Sequence, residues 1–335
     1  MEANELNHLF EQMSPTPEQE GAILARLQAP KQEGSRPMKH IQNPSVILAA
    51  AALLLATCAF AVASTLDPRL LSFFQRTPQD TELLADGIVE VDQSHTYPNG
   101  WTVEVEQVLA DQYVLNVLVE VTAPEDAPLP TGLSYLTLHI ENTQEKRSTS
   151  SVSGSRLLED EDPGDNRYTF LCYRTPGPAS TQWTDRPSSV RITPLDLWSD
   201  TSVGPVIDFR GDDWSCTADL PAEDNGQEFP AGQTLLVGNE TVTVTYLYLS
   251  PISCVLRING PAHSPFLTGR NGLSSLEGKV FLHLKDGSAV SMYSYNSSYN
   301  LDSGDGAFIL QNAQIIDPDQ VESITILEQT FPLTP

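Results

Sequence analysis

Residues 101–121 read WTVEVEQVLADQYVLNVLVEV, and this stretch indicates how the larger part of the chain folds. Apolar and polar residues alternate from 101 to 105, and a second alternating run extends from 113 to 121. Alternation with a period of two is typical of β-strands that bury one face. The stretch therefore predicts a β-hairpin with its turn at Asp111-Gln112.

Similar short runs recur through the rest of the chain and are separated by turns rich in Gly, Pro and Asp. Many short strands at such spacing are typical of β-sandwiches and barrels. The sequence predicts a mainly β fold with two β-sandwich (Ig-like) domains. Strand patterns become sparse between Pro194 and Pro230, so the boundary is placed near Gly211. The predicted strands are 135–140, 168–173, 189–193, 241–249, 252–258, 279–285 and 322–327, and the predicted domains are 86–210 and 211–335.

A short helix and linker are predicted just before the first β domain, at residues 67–85. Asp67 is a good N-cap residue, and proline is favoured at the first helical position, which Pro68 occupies. The apolar residues of this helix are Leu70, Leu71, Phe73 and Phe74.

An uncharged apolar stretch precedes this helix. Residues 46–64 read VILAAAALLLATCAFAVAS, close to the roughly 20 residues that span a bilayer. The sequence predicts one transmembrane helix at 44–66. A cleaved signal peptide is a rival because Ala61-Val62-Ala63 fits a cleavage site, but some 43 residues precede the run. A buried soluble helix is disfavoured because the stretch has no polar face.

The distribution of charge suggests the orientation of this span. Arg26, Lys31, Arg36 and Lys39 precede it, and a basic excess favours the cytoplasmic side. We therefore expect a single-pass protein of the cell membrane with a cytoplasmic N-terminus and extracytoplasmic β domains. The chain has a formal charge of −26, and residues 67–335 carry 38 acidic and 14 basic residues, a net charge of −24. Such a surface repels phosphate backbones, so we expect no nucleic-acid partner.

The N-terminal tail, residues 1–43, contains two predicted amphipathic helices. The first places Leu6, Leu9, Phe10 and Met13 on one stripe. Thr16-Pro17 then provides an N-cap and a first helical proline for a second helix, whose apolar residues include Ile23, Leu24 and Leu27. Isolated helices of this length are marginal in water, so they require a partner. Packing on each other or on the membrane surface is the alternative.

Catalytic and metal-binding motifs are absent from the sequence. It has no Gly-x-Ser-x-Gly, phosphate-loop, HExxH or Gly-x-Gly-x-x-Gly pattern. His139 and His283 fall on outward strand faces, and His95 and His263 are placed among turn residues without partners. Acid-rich loops at 159–165 and 302–305 do not match a calcium-loop spacing. We expect no enzyme activity, no cofactor and no metal site.

Four cysteines do not form a disulfide framework. Cys58 lies within the apolar stretch, which leaves Cys172, Cys216 and Cys254 without a CxxC or Cys/His spacing. Three buried free thiols are favoured, and a Cys172–Cys216 bridge remains the alternative.

Several short motifs suggest a family. ELNHLF at 5–10, PTPEQE at 15–20 and ILARL at 23–27 precede the Ala/Leu-rich span, and LLSFF follows it at 70–74. The outer part adds NGWTV at 99–103 with Asp111, a stretch at 246–253 ending in SPIS, KDG at 285–287, and IDPDQV at 316–321 before ITI at 324–326. Together these resemble membrane-anchored anti-sigma-factor-like proteins of Gram-positive bacteria with two extracytoplasmic β domains.

The resemblance implies that the tail sequesters an extracytoplasmic-function sigma factor while the outer part senses or relays a signal from an unknown extracellular ligand or protein. The tail lacks the histidine and CxxC pair of zinc-type anti-sigma factors. Sigma-factor binding would therefore rest on the two helical stripes, Leu6, Leu9, Phe10, Met13, Ile23, Leu24 and Leu27. A membrane-anchored adhesion or ligand-binding protein, with the tail as a mere anchor, is the alternative.

Overall fold

The computed structural model describes residues 67–74, 81–84, 87–125, 130, 132–143, 151–158, 165–176, 187–200, 202–221, 225–237, 239–263, 278–299, 302–312 and 314–333. All of these residues belong to one compact unit. The tail helices and the apolar stretch 46–64 lie outside the described residues. Within the described ranges, no helix has the length and apolar character needed to cross a membrane.

The prediction of a mainly β chain is confirmed, because antiparallel strands form most of the described residues. Two short helices precede them, and a 3-10 turn lies at Pro318–Gln320. The elements are α1 Pro68–Phe73, α2 Thr81–Leu84, β1 Ile88–Thr96, β2 Thr102–Ala110, β3 Leu115–Thr122, β4 Leu133–Asn142, β5 Ser151–Leu157, β6 Arg167–Pro176, β7 Ser189–Ser199, β8 Ile207–Asp208, β9 Cys216–Asp219, β10 Gln227–Phe229, β11 Thr234–Val237, β12 Glu240–Leu249, β13 Ser253–Asn259, β14 Val280–Leu284, β15 Ala289–Tyr299, β16 Asp305–Asn312, β17 Val321–Ile326 and β18 Gln329–Pro332.

The hairpin predicted at 101–121 is present as β2 and β3. These strands pair from Thr102 opposite Thr122 to Ala110 opposite Leu115. The connecting turn is closed by the N–H of Asp111, which donates to the carbonyl of Val114 at 2.9 Å. The alternating apolar residues form the buried face that the period of two predicts.

β1 to β9 enclose the first apolar core, and we call them module 1. One sheet has the strand order β1-β2-β3-β6-β5, and the other pairs β7 with β4 on one edge and with β8 and β9 on the other. The inward side chains of both sheets fill the space between them. They include Val103, Val105, Val117, Val119, Phe170, Leu136, Ile192 and Leu197.

β10 to β18 enclose a second core, and we call them module 2. β15 pairs with β14 through Val290 and with β16 through Ser297, so one strand crosses from one part of the sheet to the other. The result is a nine-stranded sheet that surrounds its own apolar residues, among them Leu256, Leu282, Met292 and Ile324.

Module 1 extends beyond the boundary predicted at Gly211. β9 pairs with β7, placing Cys216 opposite Ile192, and Leu220 belongs to the first core. β10 then pairs with β12 in module 2. The change of module therefore falls after Leu220. The loop that contains Gly211 lies on module 1, where Trp214 packs against the first core.

The two modules repeat one pattern of strand pairing. The pairs β1·β2, β2·β3, β3·β6, β5·β6, β4·β7 and β7·β8 each recur in module 2 with every strand number raised by ten. The repeat makes the β2–β3 turn of module 1 equivalent to the β12–β13 turn of module 2. Each turn is closed in the same way, since the N–H of Ser250 donates to the carbonyl of Ser253 at 2.8 Å.

Cys172, Cys216 and Cys254 are free and buried, which agrees with the favoured sequence interpretation. Burial raises the pKa of all three thiols, that of Cys216 to about 11, so the reactive thiolate is scarce at neutral pH. In a chain carrying Cys58→Ser, we expect a thiol reagent to label none of them in the native protein and all three after denaturation. Labelling of a single thiol after denaturation would indicate a disulfide and contradict this assignment.

Candidate functional site

α1 begins at the position that the sequence predicts. Asp67 caps it, because its Oδ1 accepts the N–H of Arg69 at 2.7 Å, and Pro68 is the first helical residue. On the underside, Leu70 and Phe74 are buried. They belong to an apolar cluster that contains Leu84 of α2, Leu109, Leu118 and Leu171 of module 1, and Ile252 and Ile315 of module 2. α1 therefore packs on the outer face of the β2-β3-β6 sheet and is coupled to module 2.

Arg69 holds α1 to this sheet through a cluster that we call the Arg69 clamp. Its Nη2 donates to Asp67 Oδ2 at 2.7 Å and to Glu106 Oε1 on β2 at 2.5 Å. Its Nη1 donates to Glu120 Oε2 on β3 at 2.9 Å and to Thr169 Oγ1 on β6 at 2.8 Å. One guanidinium thus ties the helix to three neighbouring strands. Because the guanidinium group is planar and has five N–H donors, arginine suits a site with several carboxylates.

Two carboxyl groups of the clamp, those of Asp67 and Glu106, have pKa values that are shifted in opposite directions. At Asp67, burial acts to raise the pKa, but the hydrogen bonds and charge of Arg69 outweigh it and hold the pKa below its usual value. At Glu106 burial dominates, so the pKa is raised although Arg69 donates to this group. Glu106 Oε2 is buried without a hydrogen-bond partner in the described part of the chain. Of these two carboxyl groups, Glu106 is therefore the one whose charged form burial disfavours on balance.

The modules meet where their equivalent turns pack together, and we call this contact the turn junction. Asp111 is buried at its centre. Its Oδ1 accepts the N–H groups of Tyr113 and Val114, both at 2.6 Å. Its Oδ2 accepts the hydroxyls of Ser250 at 2.6 Å and Ser253 at 2.5 Å. Burial raises the pKa of Asp111, while these four hydrogen bonds favour the charged form and oppose the rise.

The apolar contacts of the turn junction are reciprocal. The tip of the β2–β3 turn, Tyr113 and Val114, packs on β12, β13 and β16 of module 2 through Tyr248, Val255 and Ile309. The tip of the β12–β13 turn, Ile252, packs on the equivalent strands of module 1 through Leu109, Leu118 and Leu171. Tyr113 also donates through its hydroxyl to Tyr246 at 2.8 Å. Each module therefore completes the outer face of the other.

Histidine positions differ in part from the sequence interpretation. His139 and His283 lie on strands and hydrogen-bond Glu141 and Thr325, both at 2.7 Å, consistent with outward faces. His95 was expected in a turn without a partner, and this is wrong. It lies on β1, its Nε2 is 2.8 Å from Asp212 Oδ2, and its ring stacks on Trp214. The pairing needs a loop more than 100 residues away, so the local sequence gave no signal for it.

The sequence-predicted sigma-binding residues lie outside the described residues: Leu6, Leu9, Phe10, Met13, Ile23, Leu24 and Leu27. The structure therefore does not bring them into any site. From the sequence, Asp111 is expected in a turn and belongs to the motifs of the family resemblance, whereas Arg69 has no predicted role. In the described ranges, no group of His, Cys, Asp and Glu is arranged to hold a metal ion.

Comparisons with known proteins add little to this geometry. No family model matches the chain, and no curated protein matches it. Among solved structures, the chain is similar to "The crystal structure of the conserved domain protein from Bacillus anthracis". The identity is 12%, the similarity covers 71% of this chain and 75% of that chain, and the TM-score is 0.46.

Proposed function

We propose that this chain is a single-pass membrane protein that acts as an anti-sigma factor. Its cytoplasmic tail binds an extracytoplasmic-function sigma factor, and its outer part, two Ig-like β-sandwich domains, relays a signal through α1. The tail holds the sigma factor away from RNA polymerase until that signal changes the outer part.

The observation that carries the proposal is the docking of α1. Asp67 follows the apolar stretch 46–64 by three residues, and the Arg69 clamp then fixes the chain to module 1. Ile252 and Ile315 of module 2 contact the same cluster. A simple anchor requires only a flexible spacer at this point. A helix that contacts both modules instead supports a relay. A change in the relative position of the modules would move this helix and the chain beside the membrane.

The residues that carry the family resemblance give further support. The stretch at 70–74, Asp111 and the SPIS turn at 250–253 are far apart in the sequence, yet they meet around the turn junction and α1. This contact places the most specific outer motifs at the helix nearest the apolar stretch. It favours a relay over an adhesion protein, whose specific residues would face outward.

The tail provides the direct test. Residues 1–43 should capture a purified extracytoplasmic-function sigma factor of the host, and Leu9→Asp with Leu24→Asp should abolish micromolar binding. A buried Leu contributes about 1.5–3 kcal/mol, so two charged replacements remove most of the binding free energy. In cells, the same double variant of the full chain should raise transcription of that sigma factor's targets.

A matched control is His8→Asp with Ala25→Asp, which places an aspartate on the side opposite the apolar stripe of each predicted helix. This variant should bind as the unchanged tail does. Equal capture by all three tails, or capture by none of them for any sigma factor of the host, would contradict the proposal and leave the adhesion alternative ahead.

A further inference from the structure

The outer face of the β4–β7 sheet carries a stacked pair of aromatic rings. Tyr135 lies directly opposite Trp198 in the strand register. The ring centroids are 5.4 Å apart and the planes differ by 13°. Tyr135 is 40% exposed. One aromatic face of module 1 is therefore available to a ligand, far along the chain from α1.

An ion pair with a buried carboxylate lies in the next row of the same face. Asp196 is opposite Thr137, so it points to the same side of the sheet as Trp198 two residues later. Asp196 is only 2% exposed, and its Oδ2 accepts a hydrogen bond from Nη2 of Arg210. The Arg210 side chain itself is more than half exposed.

Two polar atoms of this face have no partner among the described residues. They are Oδ1 of Asp196, an acceptor, and Nε1 of Trp198, a donor. Buried polar atoms in native proteins are almost always hydrogen-bonded, so each of these two atoms can take a hydrogen bond from a group that binds beside the exposed ring. A hydroxyl group suits either atom, since it accepts from an indole N–H and donates to a carboxylate.

We propose that Tyr135, Trp198, Asp196 and Arg210 form a binding site for a neutral pyranose sugar of a glycan. The C–H face of a pyranose ring packs on the exposed aromatic ring, and its hydroxyls bind the carboxylate, the indole N–H and the remaining guanidinium donors. An anionic glycan is disfavoured because residues 67–335 carry a net charge of −24. The site goes beyond the proposed sigma-factor function and does not depend on the tail.

The test is calorimetric titration of the purified full-length chain with neutral tetrasaccharides of glucose, N-acetylglucosamine, mannose and galactose. We expect at least one of them to bind with a dissociation constant of about 1 mM or lower. Tyr135→Ala removes the stacking face and should weaken that binding about tenfold. Trp198→Phe keeps the stack but removes the N–H donor, so it should also weaken binding while leaving the thermal unfolding midpoint nearly unchanged.

Tyr293→Ala is the matched control, because Tyr293 is a similarly exposed tyrosine, 51%, on β15 of module 2. This variant should bind as the unchanged chain does. The proposal is overturned if none of the four sugars binds, or if Tyr135→Ala and Trp198→Phe affect binding no more than Tyr293→Ala. A loss of folding in Tyr135→Ala leaves the decision to Trp198→Phe.

Discussion

Arg69→Met is expected to detach α1 from module 1 and lower the free energy of unfolding by about 3 kcal/mol at pH 7. Removing one partner of a buried pair typically costs 3–5 kcal/mol, and the lower end applies because the Arg69 side chain is 29% exposed. The loss of stability arises mainly at Glu106 and Asp67. Without the cation that they share, their carboxylates would repel each other and that of Glu120. Urea denaturation of the full chain measures the change.

The pH dependence of this loss identifies its electrostatic origin. Without the Arg69 guanidinium, burial and the like charges of Asp67 and Glu120 raise the pKa of Glu106. Burial also raises the pKa of Asp67, against the two backbone N–H groups that still cap it. A group whose folded pKa lies above its unfolded pKa favours the fold at low pH and loses that contribution as pH rises through the folded value. The variant should therefore recover much of its stability at about pH 4, near the ordinary pKa of Asp and Glu.

Arg191→Met is the control for this prediction, since Arg191 is exposed on β7. Its stability should change little at either pH. A destabilisation of Arg69→Met that is equal at neutral and acid pH would indicate lost packing rather than uncompensated charge. It would contradict the electrostatic account of the clamp.

Asp111→Ala is expected to lower the free energy of unfolding by about 3 kcal/mol and to separate the unfolding of the two modules. The change leaves two buried N–H groups, of Tyr113 and Val114, and two buried hydroxyls without their acceptor. An unsatisfied buried donor costs about 1–3 kcal/mol, partly offset here because a buried charge is also removed. Calorimetry should show two transitions in place of one.

The contact of Asp111 with Ser250 is tested by a double-mutant cycle. Ser250→Ala combined with Asp111→Ala should cost less than the sum of the two single changes, because both remove the same hydrogen bond. Asp286→Ala is the control, since Asp286 accepts from the N–H and hydroxyl of Ser288 in an exposed turn. Its stability should scarcely change. Full additivity between Asp111→Ala and Ser250→Ala would contradict the turn junction.

Several features of the fold could be predicted because they depend on neighbours in the sequence. The β2–β3 hairpin follows from the alternating residues at 101–105 and 113–121, and α1 follows from its cap and proline. β1 is not predicted because it is an edge strand with exposed polar residues on much of its length, including Glu90 and Gln93. β5 and β15 are rich in Ser, which gives no clear period.

The candidate site could not be predicted because its contacts join distant parts of the chain. Arg69 meets Glu120 across 51 residues, and Asp111 meets Ser250 across 139. No local pattern distinguishes Asp111 from any other turn aspartate. Its importance arises only when burial removes water and leaves the serine hydroxyls as partners. The module boundary was misplaced for the same reason, since the contacts of Trp214 with the first core are not local.

The apolar cluster beneath α1 sets an order for events during synthesis. Leu70 and Phe74 emerge from the ribosome early, but Ile252 and Ile315, which complete the cluster, emerge some 180 to 240 residues later. At roughly 5–20 residues per second, this delay is on the order of ten seconds or more. During that interval the underside of the helix lacks part of its cover. A chaperone or export factor that recognises apolar segments has its best opportunity then, and a chain truncated before residue 252 keeps that surface exposed.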